Sequence, residues 1–429
     1  MAMEHVTENQ QLERATRIAH TALKSRFYKQ KYAGQVKTDS MDAWRALPVL
    51  ERKEILTHSY PHSSDMLTQP LEDAIVISTG GSSGMARYTT YTHAEWDAFV
   101  SCQSEAMRIL GIGPSDRIAN LFIAGHLWPS FLGLHDCIKR LGAVHLPIST
   151  NIAMEEVVSL CRLFEPTVMV SLPTFFVFLA DMARRDGFSF PALSMINYAG
   201  EHLSRAATEH ISSALGVKRI KAGGYTSADA GIMGYQCEHC APGVYHVPTS
   251  FQFIELINFD EQRPAAVGEK AEVVVTNLSR SSTPIIRYRV GDVASWLAAP
   301  CACGDSNPLI QLAGRSGQDV KLGGGFISLD TFGDCIGAQG EPFSLNFQLE
   351  IADVGGQFTL DLAVETAGEV AQSRLDALEQ ALLAAIPELR VAREKDYLRS
   401  FSIRAVKLGS LPRSPITGKV ARLLDQRVR

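Results

Sequence analysis

Ser78-Thr-Gly-Gly-Ser-Ser-Gly-Met-Ala-Arg87 lies between an apolar run, Ala74-Ile-Val-Ile77, and a threonine-rich segment, Tyr88-Thr-Thr-Tyr-Thr92. A strand that runs into small, hydroxyl-bearing residues can turn successive backbone N–H groups toward an anion, because glycine accepts the angles that such a nest requires. Nucleotide-hydrolase loops end in Gly-Lys-Ser/Thr, whereas this one ends in Gly84-Met85. The loop therefore reads as an anion cradle of another class, or as a plain glycine-rich turn.

Working outward, short apolar runs at 74–77, 118–123, 143–146 and 168–172 alternate with helical patterns. That alternation predicts parallel α/β sheets with helices on their faces. The first 70 residues read as helices, with 12–32 amphipathic. Between 243 and 297 the period changes to two, as in Phe251-Gln-Phe-Ile-Glu-Leu-Ile257 and Ala271-Glu-Val-Val-Val-Thr276, which predicts an antiparallel, barrel-like subdomain. After Gly314-Arg-Ser-Gly317, strands at 348–351, 358–364 and 401–406 accompany a helix at about 371–386. The expected fold class is α/β: a large N-terminal domain, 1–315, and a small C-terminal α+β domain, 316–429.

The 429 residues are 46% hydrophobic and 20% charged, as in a soluble globular protein with room for two or more domains. A net charge of −5 excludes nucleic acid as the main partner, since a phosphate backbone needs a basic surface. The polar N-terminus has no signal-peptide core, and no apolar run approaches the roughly 20 residues needed to cross a bilayer. A cytoplasmic protein with a small-molecule partner and no membrane contact is expected. Eight cysteines are too sparse for a disulfide framework, and two close pairs, Cys237/Cys240 and Cys301/Cys303, point to metal. Cys240, His246, Cys301 and Cys303 supply three sulfurs and one imidazole, a set suited to structural Zn2+. Cys237 and His239 are spare donors, and free thiols with a histidine in loops are the alternative.

Further motifs follow the loop in order: Gly223-Gly-Tyr-Thr-Ser-Ala-Asp-Ala-Gly231, Arg287-Tyr-Arg-Val-Gly-Asp292, Gly314-Arg315 and Ser414-Pro-Ile-Thr-Gly-Lys419. Their order and spacing resemble the adenylate-forming superfamily of acyl-CoA synthetases, luciferases and adenylation domains. Phe27-Tyr28, Leu47-Pro-Val-Leu50, Gly243-Val-Tyr-His246 and Pro300-Cys-Ala-Cys-Gly304 resemble its phenylacetate–CoA ligase branch. Some relatives in that branch carry a cysteine/histidine zinc site at the matching segments.

The resemblance implies that a carboxylate attacks the α-phosphate of ATP and expels pyrophosphate, giving an acyl-adenylate that passes to coenzyme A. It places Ser78, Thr79, Gly80, Gly81, Ser82, Ser83 and Gly84 on the phosphates, with Arg87 close by. Gly224, Tyr225 and Thr226 fall to the adenine, Asp292 to the ribose hydroxyls, and Arg315 to the nucleotide at the approach to a hinge. Asp229 stands where the family has a glutamate that binds Mg2+. Lys419 matches a mobile lysine that bridges the carboxylate and the α-phosphate, a task suited to a compact charge on a flexible stem. The C-terminal domain would then be a mobile lid, and a homodimer is consistent with the resemblance. For the acid, Asn197-Tyr198-Ala199-Gly200 matches the wall of the acyl pocket, with Glu201, His126, Trp128 and Phe131 as further candidates. Aromatic side chains with small neighbours fit a flat aromatic carboxylic acid, and a core role for Trp128 or Phe131 is the alternative.

Three departures stand out: Met85 replaces the loop lysine of the family, Ala228-Asp229 replaces a hydroxyl residue and glutamate, and Gly317 replaces the hinge aspartate. Arg87 is a candidate to compensate for Met85. Three readings remain open: a CoA ligase, an adenylating enzyme that serves a carrier protein or reductase in secondary metabolism, and a degenerate nucleotide-binding protein.

Overall fold

Thr92 ends a strand and begins a helix. Its hydroxyl accepts from Glu95 N, and Glu95 Oε2 accepts from Thr92 N at 3.0 Å, a reciprocal cap that starts His93–Ile109 directly from Tyr88–Thr92. The other carboxylate oxygen of Glu95 accepts from the backbone of Ser281 and Ser282, both at 2.8 Å. One side chain thus joins the segment after the loop to a part of the chain 187 residues away.

The computed structural model describes residues 3–36, 38–79, 87–315, 320–322 and 325–427. The chain separates into two units, Met1–Met154 with Lys221–Ser316, and Glu155–Ile220 with Gly317–Arg429. One division falls between Ser316 and Gly317, and the segment Glu155–Ile220 groups with the C-terminal part.

In the first unit, Ala74–Ser78 and Tyr88–Thr92 form an antiparallel pair with Ser78 opposite Tyr88. Arg117–Asn120 and Val144–Leu146 pair in parallel, with helix Pro129–Leu141 between them in sequence. The period-two region becomes a six-stranded antiparallel sheet in the order Val244–His246, Leu309–Arg315, Tyr288–Trp296, Ala271–Asn277, Gln252–Asn258, Arg263–Pro264. Val273, Val274 and Val275 are all fully buried, so both faces of this strand are covered. N-terminal helices supply part of that cover. Trp44 stacks on Phe253 at 5.8 Å and donates its indole N–H to Glu255, and Tyr28 donates to the Pro284 carbonyl. Each such side chain contributes about 1.5–3 kcal/mol through burial.

The helix expected over 12–32 is two helices, Glu8–Ala22 and Arg26–Lys31. Ser25 adopts an extended backbone and its hydroxyl accepts from Tyr28 N, so a new helix is capped in the middle of a continuous apolar pattern.

In the second unit, Val168–Ser171 and Met195–Tyr198 pair in parallel and are fully buried. Helix Pro173–Asp186 begins with proline at its first turn and ends at left-handed Gly187. The C-terminal sheet has the order Leu398–Lys407, Gln357–Thr366, Phe343–Val354, Leu423–Asp425, its middle pair antiparallel and both outer pairs parallel. Helix Gln372–Ala385 falls within a residue of its expected bounds.

Candidate active site

Several of the candidate nucleotide residues pair with one another within the first unit. Tyr225, on Tyr225–Ser227, donates its hydroxyl hydrogen to Asp292 Oδ2 at 2.7 Å, with both residues buried. The proposed adenine and ribose residues are thus one hydrogen-bonded pair, and Asp292 lies opposite Arg315 in the sheet. Gly224 adopts φ +156, and a β-carbon there would sit 3.2 Å from the Gly234 carbonyl oxygen. Gln103, which the sequence reading did not single out, donates to the Gly223 carbonyl at 2.5 Å and holds the backbone just before Tyr225.

At the loop's neck, Thr79 N donates to the Arg87 carbonyl at 2.8 Å and Arg87 N donates to Thr79 Oγ1 at 3.1 Å. Ser78 is turned the other way: its hydroxyl donates to the His126 carbonyl at 3.0 Å and its N–H to the Leu127 carbonyl. His126 and Leu127 have φ of 54° and 58°, a left-handed pair that brings these carbonyls back to the strand end. Trp128 then takes the extended position just before helix Pro129–Leu141, without a side-chain capping bond. Residues Gly80, Gly81, Ser82, Ser83, Gly84, Met85 and Gly317, with the side chain of Arg315, lie outside the described residues.

Arg87 and Asp229 form a buried ion pair in the same unit. Arg87 Nε and Nη2 both donate to Asp229 Oδ2, at 3.2 and 2.7 Å. Side-chain exposure is 11% for Arg87 and 1% for Asp229. Burial works against the Arg87 charge, but the Asp229 carboxylate more than offsets it and holds the guanidinium above its ordinary pKa. Asp229 Oδ1 is buried and has no hydrogen-bond partner among the described residues. An orphaned carboxylate oxygen fits a divalent cation, so Asp229 is suited to help hold Mg2+ when nucleotide is bound. Arg280, fully buried and not foreseen, donates to the Asp229 carbonyl, to Thr89 Oγ1 at 2.9 Å and to the Thr90 carbonyl at 2.7 Å. Its guanidinium lies 3.9 Å from the centre of the Tyr91 ring.

In the second unit, Lys419 Nζ donates to the Gly200 carbonyl, joining segments 219 residues apart. Gly200 has φ +83, and a β-carbon there would lie 3.1 Å from Leu172 and 3.3 Å from Lys419 Nζ. Tyr198, beside it, is buried, which pushes its phenol up to about 12. Glu201 accepts from Thr174 N and Oγ1 at 3.2 and 2.9 Å, so its carboxylate caps helix Pro173–Asp186. Lys419 sits in a tight turn, with Gly418 N donating to the Ser414 carbonyl and Ser414 N to the Lys419 carbonyl. Glu365, fully buried, secures the root of that turn: it receives both terminal nitrogens of Arg413 at 3.2 Å and Leu411 N at 3.0 Å.

The cysteine/histidine candidates gather in the first unit. The donor atoms of Cys237, Cys240, His246 and Cys301 lie within 4.8 Å of one another. Cys237, a spare donor in the sequence reading, is thus in the group, while Cys303 Sγ lies 3.5 Å from His246 Nε2. Burial pushes the Cys237 thiol up to about 11, so a bound cation is the natural means of holding thiolates here. Around it, His246 stacks on Tyr235 at 5.1 Å, and Asn307 donates both to the Tyr235 hydroxyl and to the Met3 carbonyl. Three soft sulfurs and an imidazole fit tetrahedral Zn2+.

No family model matches the chain. It is 25% identical over 382 residues to a phenylacetate–coenzyme A ligase of Escherichia coli K12, spanning 87% of this chain and 84% of that one. It is also 24% identical over 332 residues to an indoleacetate–lysine synthetase of Pseudomonas savastanoi, spanning 75% and 77%. Among solved structures, a 2-hydroxyisobutyryl-CoA ligase in its postadenylation state superposes with a TM-score of 0.81 at 20% identity, covering 98% of this chain and 89% of that one. Fold and sequence matches place the chain in the adenylate-forming superfamily, a class of ATP-dependent ligases. Within that class it is similar to the phenylacetate–CoA ligases.

Proposed function

We propose that this protein activates an aromatic carboxylic acid with ATP and transfers the acyl group to the thiol of coenzyme A. The observation that carries the reading is the hydrogen bond from Lys419 Nζ to the Gly200 carbonyl. It brings the lysine near the end of the chain onto the segment matched to the acyl pocket wall.

In the first half-reaction, a carboxylate oxygen bonds to the α-phosphorus, the bond to the β-phosphate's bridging oxygen breaks, and pyrophosphate leaves. Negative charge gathers around the α-phosphate as this happens, so a fixed ammonium and aligned amides matter more than covalent help. Lys419 is suited to meet that charge. Tyr225 and Asp292 orient the nucleoside, and the segment after Ser78 receives the phosphates. Mg2+ held at Asp229 would supply further neutralisation of phosphate charge. In the second half-reaction the thiolate attacks the acyl carbon and AMP leaves. The small C-terminal domain acts as a lid between these steps, and Zn2+ in the cysteine/histidine group is structural.

The test is single-turnover kinetics with aryl acids, following adenylate and thioester separately. Thioester formed only when coenzyme A is present supports the reading. Adenylate that accumulates untouched by coenzyme A would redirect it to a carrier protein or reductase as acceptor.

A further inference from the structure

The cysteine/histidine group has four donors within 4.8 Å of one another, on Cys237, Cys240, His246 and Cys301, and a fifth, Cys303 Sγ, 3.5 Å from His246 Nε2. Tetrahedral zinc takes only four. The inner part of the group is pinned. Lys221 Nζ donates to the carbonyls of Cys237, Glu238 and Cys240 at 3.4, 2.8 and 3.2 Å, and Gln236 Nε2 donates to those of Ala241 and Val244 at 3.2 and 3.0 Å. His246 Nδ1 lies 3.3 Å from the Asn307 carbonyl, which can only accept, so Nδ1 carries the hydrogen and Nε2 keeps its lone pair for a metal. Exposure rises along the group, from buried Cys237, Cys240 and His246 through half-buried Cys301 to exposed Cys303. A tetrahedral ion with a sulfur at about 2.3 Å and an imidazole nitrogen at about 2.0 Å holds the two about 3.5 Å apart. The exposed sulfur and the buried imidazole are thus spaced so that one ion can touch both at once, and Asp305 N, donating to Cys303 Sγ at 3.4 Å, keeps the sulfur in place.

We propose that Cys303 is the entry ligand of this group: it captures a thiophilic divalent cation such as Zn2+ at the surface and passes it to His246, which completes a resting set of Cys237, Cys240, His246 and Cys301. The proposal rests on the reading of the group as a metal centre. Capture forms a metal–sulfur bond and releases the Cys303 thiol proton to solvent. Transfer forms a bond to the Nε2 lone pair and breaks the one to Cys303, whose thiolate takes a proton back from solvent; nothing is oxidised or reduced. A closed site of inward-facing donors needs an entry path, and Cys303 is the donor of this group that solvent reaches most freely. Departure of the metal retraces the same steps, so Cys303 sets the speed of exchange and leaves the strength of holding to the other four.

Two measurements on the zinc-loaded full chain test this: exchange of bound zinc for added, isotopically distinct Zn2+, followed by mass spectrometry, and competition with a chelator of known affinity. Cys303→Ala should slow exchange about tenfold or more while the affinity stays within about threefold. Cys301→Ala, which removes a resting ligand, should weaken zinc by about 100-fold. Iodoacetamide should label Cys303 in the unaltered, zinc-loaded protein, spare Cys237, Cys240 and Cys301, and slow exchange as Cys303→Ala does; this arm serves if the variant does not fold. Exchange unmoved by both Cys303→Ala and the label would overturn the proposal. So would protection of Cys303 from the label, or an affinity loss in Cys303→Ala as large as that in Cys301→Ala, since either would make Cys303 a resting ligand. Failure of the unaltered protein to hold zinc at all would overturn the metal-centre reading along with it.

Discussion

Asp229 and Lys419, the two charged groups assigned to catalysis, are held in opposite ways. Asp229 is sealed in, with a guanidinium on one carboxylate oxygen and four donors on the carbonyls around it. Lys419 is half-buried at the base of a short turn, and its ammonium donates to a neutral carbonyl. A buried charge must be balanced in place or it destabilises the fold, whereas an exposed ammonium is kept in water's reach and can be re-aimed. The first arrangement suits a group that keeps one position through a reaction. The second suits a group needed in one step only.

The largest effect should come from the root of the lysine turn. Glu365→Ala removes the buried carboxylate from the Arg413 guanidinium and from Leu411 N, and should cost about 3 kcal/mol in denaturant unfolding. An effect under about 1 kcal/mol would mean that the turn is secured by other contacts. Next, Lys419→Ala should lower acyl-adenylate formation by about 100- to 1,000-fold while leaving thioester formation from a supplied acyl-adenylate nearly unchanged. Equal loss in both steps would make the lysine structural and erase the contrast with Asp229. Tyr225→Phe removes one hydrogen bond to Asp292 and should raise the KM for ATP about five- to tenfold with little change in kcat. The smallest effect on chemistry should follow from emptying the cysteine/histidine group. Metal analysis should find one zinc per chain, and chelation should lower the melting temperature while the KM for ATP stays put. A shifted KM would mean that this group reaches the nucleotide site.

Much of the architecture was legible because apolar periodicity reports burial. The strands at 74–78, 117–120, 144–146 and 168–171, the helix at 372–385 and the shift to antiparallel strands after 243 all follow from it. The strands at 88–92 and 195–198 were not read, and 74–78, expected in a parallel sheet, pairs antiparallel with the threonine-rich 88–92 because the short segment between them returns the chain directly. Split helices were not legible: nothing in the apolar pattern at 12–32 marks the restart at Ser25, although a serine three residues before Tyr28 is a capping signal in hindsight. The motifs that carry the candidate nucleotide residues stood out by their order in the sequence, but the residues that support them did not. Arg280, Gln103 and Glu365 look like ordinary surface polar residues until the fold buries or aims them. Only tertiary contact reveals that Arg87, 142 residues before Asp229, is that residue's counter-ion.

The most direct measurement is carboxylate-dependent ATP–pyrophosphate exchange over a panel of benzoic, phenylacetic, hydroxylated aryl and fused-ring acids, comparing the unaltered protein with Lys419→Ala. The account predicts exchange with at least one aromatic acid and its loss in the variant. Absence of exchange with every acid, from protein that still binds ATP, would contradict it.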